Sequence, residues 1–175
     1  MFQDTYGGDQ IIFVMGLPAA GKSTWIANNL PGYGWIDPDK IKELHPAYDP
    51  YKPHLVHGWS KAMASGLFDA ILKRQFGHWV IEGTGANANE MVYNLQIAHE
   101  AGFITTLVYV KCSLTKVLLR NTCRPRIIPA DIILEKASTI DNSFMLAALY
   151  ADNVMEVDNN ADYKEPLHLI LKFKG

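Results

Sequence analysis

Gly16-Leu17-Pro18-Ala19-Ala20-Gly21-Lys22-Ser23-Thr24 fits G-x-x-x-x-G-K-[ST] and follows Ile11-Ile12-Phe13-Val14-Met15, a short apolar run of the kind that forms a strand buried on both faces. Strand, glycine-bearing loop and helix are therefore expected in that order. Gly16 and Gly21 let the backbone curl so that successive N–H groups point inward, and the following helix brings its positive N-terminal end to the same spot. Such a concavity suits a polyphosphate. Lys22 supplies a mobile cation for the β- and γ-phosphates, and the Ser23 hydroxyl is placed to ligate Mg²⁺. A glycine-rich turn that merely precedes a helix is the alternative; the flanking strand and the complete Lys-Ser pair argue against it.

The bulk properties narrow the class. At 175 residues, with 49% hydrophobic and 19% charged residues, the chain reads as a single globular domain, 1–175, with no disordered tail. A formal net charge of -2 gives no global basic field for nonspecific nucleic-acid binding. Two cysteines outside any metal spacing, Cys112 and Cys123, suit a reduced interior, and Met1 to Gln10 does not resemble a signal peptide. No apolar run approaches the roughly 20 residues of a membrane helix, so a cytoplasmic protein without membrane contact is expected.

Along the chain, a helix from Ser23 to Leu30 should stop at Pro31-Gly32, and Gly34-Trp35-Ile36 should form a second strand. That strand delivers Asp37-Pro38-Asp39 to the carboxyl edge of the sheet, where open α/β sheets hold ligands. Ile41 to Leu44 predicts a brief helix. From His54 to Phe76 apolar residues, Leu55, Met63 and Leu67 among them, recur at helical spacing and predict one long helix covering the sheet. Trp79-Val80-Ile81 is a buried strand ending in Glu82-Gly83-Thr84-Gly85. A carboxylate and a hydroxyl there, followed by glycines that admit a ligand, make Glu82 and Thr84 candidates for substrate binding. A helix from Asn89 to Gly102, a strand from Phe103 to Val110, and a helix capped by Ser113 that turns Leu114, Val117, Leu118 and Leu119 inward come next. Pro129 should open a helix reaching about Leu149; Val154 to Val157 and Leu167 to Phe173 predict two last strands with Asp158-Asn159-Asn160 as a turn. The alternation implies a three-layer α/β/α domain with a mostly parallel sheet.

Arg120-Asn121-Thr122-Cys123-Arg124-Pro125-Arg126 is the second informative stretch. Clustered guanidiniums without matching acids repel one another unless an anion joins them. Beside a phosphate-binding loop, Arg120, Arg124 and Arg126 read as a phosphate-clamping lid spanning about 120–129. No strand ending in Asp followed by a water-orienting residue stands out.

With these segments in place, the chain resembles the zeta-toxin and polynucleotide-kinase group of P-loop kinases over most of its length. The loop through Trp25 is similar to the polynucleotide-kinase phosphate loop. Asp37-Pro38-Asp39-Lys40-Ile41-Lys42 is similar to the group's D-x-D segment, which implies Asp39 as catalytic base, Asp37 beside the substrate and Lys42 as a holder of the acceptor. His45-Pro46-Ala47-Tyr48 and Ile81-Glu82-Gly83-Thr84 resemble the zeta-toxin branch, whose acceptor is an amino-sugar nucleotide contacted by Glu and Thr. Leu119-Arg120-Asn121-Thr122-Cys123-Arg124 with Ile128-Pro129-Ala130-Asp131 resembles the polynucleotide-kinase lid, whereas Arg126 lies where the zeta branch has its second lid arginine. The resemblance implies ATP and Mg²⁺ as cofactors and an alcohol acceptor on a nucleic-acid end, a modified DNA base or a nucleotide. A UDP-N-acetylglucosamine kinase with an antitoxin partner, and a P-loop nucleotide switch without kinase activity, are the alternatives.

Overall fold

The computed structural model describes residues 8–161 together with the backbone of the strand Leu169–Lys172. Strand β1, Gln10–Met15, runs through the middle of the molecule, and its residues Ile11 to Met15 are all at most 1% exposed. Burying one such side chain is worth about 1.5–3 kcal/mol, so this strand anchors the core. Helix α1, Lys22–Asn29, leaves the loop after β1, and β2, Gly34–Ile36, runs at the far edge. Helix α2, Pro38–Glu43, starts earlier than the sequence suggested because the Asp37 side chain accepts the Asp39 N–H at 2.8 Å and caps it, with Pro38 in its first turn.

The long helix expected over His54 to Phe76 is two elements. Pro53–Val56 forms a 3₁₀ turn, and α3 covers His57–Arg74. A 3₁₀ turn advances about 120° per residue instead of the 100° of an α-helix, so it shifts the phase of the apolar stripe. Val56, Ser60, Phe68 and Ile71 face inward, whereas Leu55, Met63 and Leu67 point outward.

Strand β3, His78–Glu82, helix α4, Ala88–Glu100, and strand β4, Ile104–Lys111, follow. Helix α5, Leu114–Thr122, is capped by Ser113 as expected. It buries Val117 and Asn121, one turn apart, so Leu119 projects into solvent instead of inward. Asn121 is a clamp: its Nδ2 donates to the Ile128 carbonyl at 2.7 Å and its Oδ1 accepts the Ile128 N–H at 3.0 Å. Helix α6, Ala130–Ala147, has Pro129 as its N-cap and ends before Leu149, which is exposed. Strand β5, Asn153–Asp158, precedes β6, Leu169–Lys172; the remainder of the last expected strand lies outside the described residues.

The six strands stand in the order β2-β3-β1-β4-β5-β6. The first five are parallel and β6 pairs antiparallel with β5, so the fold is a three-layer α/β/α domain. Because β1 lies between β3 and β4, the loop after it opens at the carboxyl edge between the ends of those two strands, the usual place for a ligand. Among the described residues no helix is long and apolar enough to cross a membrane.

Candidate active site

The loop Gly16–Gly21 is shaped by contacts on both sides. The Gly16 N–H donates to the Thr84 carbonyl at 3.1 Å, and a Cβ on Gly16 would lie 2.6 Å from the Val110 carbonyl oxygen. Leu17 and Ala20 are buried, Pro18 and Ala19 are half-buried, and Ala19 takes a left-handed φ of 63°. Gly21 also has a positive φ, 94°, and its carbonyl accepts the first helical bond, from Trp25 N–H at 3.0 Å. Lys22 Nζ folds back onto the Gly16 and Leu17 carbonyls at 3.0 and 3.1 Å. Burial lowers its pKa; Glu82 and Asp39 push it back up, Arg124 lowers it and Asp37 raises it. Lys22 is thus the point at which P-loop, both candidate acidic segments and the lid feel one another. Thr24 is exposed behind it.

Glu82 sits at the end of β3, directly beside the loop. Its Oε1 accepts from Ser23 Oγ at 2.9 Å, while Oε2 is buried with no hydrogen-bond partner. Burial raises the pKa of this carboxyl, opposed by Lys22 and reinforced by Asp37. A strand neighbouring β1 therefore does end in an acid beside the P-loop serine. Among the described residues no group of three or more His, Cys, Asp or Glu could cage a metal by itself. Mg²⁺ typically takes one or two protein ligands plus phosphate oxygens, and an orphaned carboxylate oxygen next to a serine hydroxyl fits that demand. Thr84, half-buried, contributes its backbone carbonyl to the loop, and Gly85 is required for packing, since a Cβ there would lie 2.6 Å from Met15 Cβ.

Across from the loop, Asp37 is buried as the cap of α2, and Asp39 stands in the first turn of that helix with half of its side chain exposed. Asp39 Oδ1 pairs with Lys42 Nζ at 2.8 Å and with Arg126 Nη1 at 3.2 Å. Burial pushes the Asp39 pKa up, but the Lys42 bond and the Arg126 charge outweigh it and hold the group below the ordinary carboxylate range. The Lys42 side chain is almost entirely buried, so its ammonium is directed at Asp39 instead of being free in solvent. His57, at the start of α3, feels the same cluster: burial, Lys42 and Lys61 lower its pKa while Asp39 raises it.

The three arginines divide. Arg126 reaches Asp39, Arg124 acts on Lys22 through its charge, and Arg120 turns to the other side, donating to Cys112 Sγ at 3.3 Å and to the Ala161 carbonyl at 3.2 Å. Sequence reasoning missed Asn159, which it read as part of a turn. Its Nδ2 donates to the Ala20 carbonyl at 2.6 Å and its backbone N–H to the Lys111 carbonyl at 2.7 Å. The available signal was its place at the carboxyl end of a sheet strand, where ligand-binding residues gather.

The AAA_33 family profile, described as an AAA domain, matches residues 11–143, which takes in the P-loop, the α2 acids and the arginine segment. The chain belongs to the AAA_33 family. Several solved structures share the fold of this AAA_33 domain. The AvrRxo1-ORF1:ORF2 complex with ATP superposes with a TM-score of 0.76 at 14% identity, over 95% of this chain and 61% of that one. The PezAT chromosomal toxin–antitoxin system of Streptococcus pneumoniae gives 0.65 at 16%, over 90% and 71%. Deoxyadenosine kinase from M. mycoides with bound dATP gives 0.55 at 15%, over 89% and 94%. The AAA_33 domain thus has a P-loop kinase fold and spans about three-fifths of the length of the AvrRxo1 chain it matches. No curated protein sequence matches it.

Proposed function

We propose that the protein is an ATP-dependent kinase that moves the γ-phosphoryl group to a hydroxyl of a nucleic acid or nucleotide. One observation carries the reading: Asp39 is half-exposed and not packed away, and its charge bears on Lys22, the residue expected to meet the terminal phosphates. A phosphate-binding loop alone serves a switch as well as a kinase. A carboxylate facing it, half-exposed and held ionised by Lys42 and Arg126, suits a group that accepts or orients an alcohol proton.

In this reading residues Gly16 to Thr24 hold the donor phosphates, with Lys22 leaving the carbonyls of Gly16 and Leu17 for phosphate oxygens. Ser23 and Glu82 would hold Mg²⁺, which neutralises phosphate charge when bound. Asp39 aligns the acceptor hydroxyl, whose oxygen forms a bond to the γ-phosphorus as the bond to the bridging oxygen of ADP breaks. The hydroxyl proton passes to Asp39. A loose transition state needs little proton removal until late, so a base with a low pKa serves. Arg124 and Arg126 offset charge on the transferring group, and Lys42 and Asp37 shape the acceptor side. Arg120 would have to leave Cys112 and the Ala161 carbonyl to join Arg124 and Arg126.

Transfer of labelled γ-phosphate to a panel tests it: a 5′-hydroxyl oligonucleotide, DNA bearing hydroxymethyluracil, nucleosides, nucleotides and amino-sugar nucleotides. Labelling of an oligonucleotide or nucleotide supports the reading, and ATP hydrolysis indifferent to every acceptor rejects it in favour of a switch. The likeness to the PezAT toxin–antitoxin structure favours a second reading, a growth-arresting kinase of an amino-sugar nucleotide with an antitoxin partner. Under it, expression of the chain alone arrests bacterial growth and Asp39→Asn relieves the arrest.

A further inference from the structure

Asn159, the residue after β5, makes a bond to the P-loop, and its geometry has a direct effect on where the loop's amides point. In a trans peptide the C=O and N–H are directed oppositely. Asn159 Nδ2 holds the Ala20 carbonyl at 2.6 Å, so the N–H of the same peptide, that of Gly21, is driven to the opposite side. The next peptide is fixed as well, because the Gly21 carbonyl accepts the Trp25 N–H at 3.0 Å and leaves the Lys22 N–H at the open helix start. Ala20 N–H is already used within the loop, on the Leu17 carbonyl at 3.1 Å. The two peptides flanking Gly21 are therefore oriented from outside the cradle before any anion arrives.

The same contact accounts for the second glycine of the motif. A Cβ on Gly21 would run into Asn159 Nδ2, so the absence of a side chain at 21 is what lets the amide reach the Ala20 carbonyl. Asn159 is itself held by its neighbours. Its N–H donates to the Lys111 carbonyl at 2.7 Å, Asp158 Oδ1 accepts the Asn160 N–H at 2.9 Å, and Asn160 Oδ1 accepts the Ser113 N–H at 2.7 Å. Lys116 and Arg120 of α5 close on the Asn160 and Ala161 carbonyls. The ends of β4 and β5, the start of α5 and the P-loop are thereby joined through the adjacent residues Asn159 and Asn160.

We infer that Asn159 is a positioning residue for phosphate binding: by gripping the Ala20 carbonyl it aims the Gly21 amide at the donor's phosphates. The inference rests on the nucleotide-binding part of the proposed function. It locates the effect at the phosphates and not at the nucleoside.

Calorimetric titration of the full chain with inorganic tripolyphosphate, ADP and adenosine tests it, using wild type, Asn159→Ala and Asn159→Gln. The Ala variant should bind tripolyphosphate and ADP about tenfold more weakly and adenosine as well as wild type does. The Gln variant, which keeps a donor, should recover part of that loss, and it supplies the phosphate-against-nucleoside comparison if the Ala variant does not fold. Equal weakening of ADP and adenosine marks a merely structural role and overturns the inference, as does tripolyphosphate affinity that neither substitution alters. Wild-type protein that binds neither tripolyphosphate nor ADP overturns the nucleotide reading itself, whereas intact wild-type binding with unaltered variants overturns only the role of Asn159.

Discussion

The two walls of the cleft are built differently. The donor wall, Gly16 to Ser23, is fastened by the Thr84 carbonyl just after β3, by the Glu82 carboxylate at the end of β3 and by the Asn159 side chain just after β5, and it leans on fully buried core. The acceptor wall, Asp39 with Lys42 and Arg126, is fastened by ion pairs around a carboxylate that is half open to water. Groups held at the edge of a packed sheet keep their geometry, whereas a carboxylate half open to water holds its ionic partners in competition with solvent. The donor half is thus set in advance, and the acceptor half has partners to trade when charged ligands enter.

The strongest way to break that division is to remove a lid arginine. If Arg124 meets the transferring group, Arg124→Ala should lower turnover by about 10³-fold or more with ATP affinity changed far less. Steady-state kinetics beside a binding titration separates the two effects. Next, Asp39→Asn should cost about 10²- to 10⁴-fold in turnover while ATP still binds, whereas Lys22→Ala should weaken binding and rate together. Unchanged turnover in Asp39→Asn removes that residue from the mechanism. Wild-type ATP affinity in Lys22→Ala removes the loop from the site.

A smaller effect sharpens the comparison. If Arg126 leaves Asp39 for phosphate oxygens, Asp39→Asn frees it, and the gain in ATP affinity should be larger with Arg126 present than in an Arg126→Gln background. A gain larger without Arg126 shows that the pair stays closed. The expected difference is about two- to fivefold, the range of an exposed ion pair. On the donor wall, Glu82→Gln removes a buried carboxylate whose Oε2 has no partner. It should raise the melting temperature without nucleotide by roughly 2–4 °C while weakening Mg·ATP binding.

The smallest effects lie in the pH dependence of stability, and their signs oppose. Asp39 has a folded pKa below the ordinary 3.8, so its contribution is present above that value and is lost as pH falls through the lower folded one. Glu82 has a folded pKa above the ordinary 4.5, so the native state keeps the proton longer and stability declines as pH rises from 4.5 through the raised value. Thermal melts between about pH 3 and 7 should show each slope vanish in the matching Asn or Gln variant.

Much of the donor wall was legible because it is local: an apolar strand, two glycines, a lysine and a serine adjoin in sequence, and only one common fold arranges them so. The alternation of strands and helices also pointed to a mostly parallel sheet, though not to its strand order. What escaped was set by distant contacts. Nothing near Asn159 signals that its amide meets a carbonyl 139 positions away. The bond from Ser23 to Glu82 likewise depends on β3 lying next to β1, which spacing alone does not dictate. The phase of α3 was misread because a 3₁₀ turn before it rotates the stripe, and composition does not reveal that turn. The resemblance to known kinases pointed to Asp39, but its pairing with Arg126, 87 positions away, depends on how the chain folds.

The two bonds between Asn121 and Ile128 tie the feet of the arginine loop together at its base. The closed loop carries Arg124 and Arg126 on one short segment, beside Lys22 and Asp39. Disturbing Asn121 should therefore displace both guanidiniums at once.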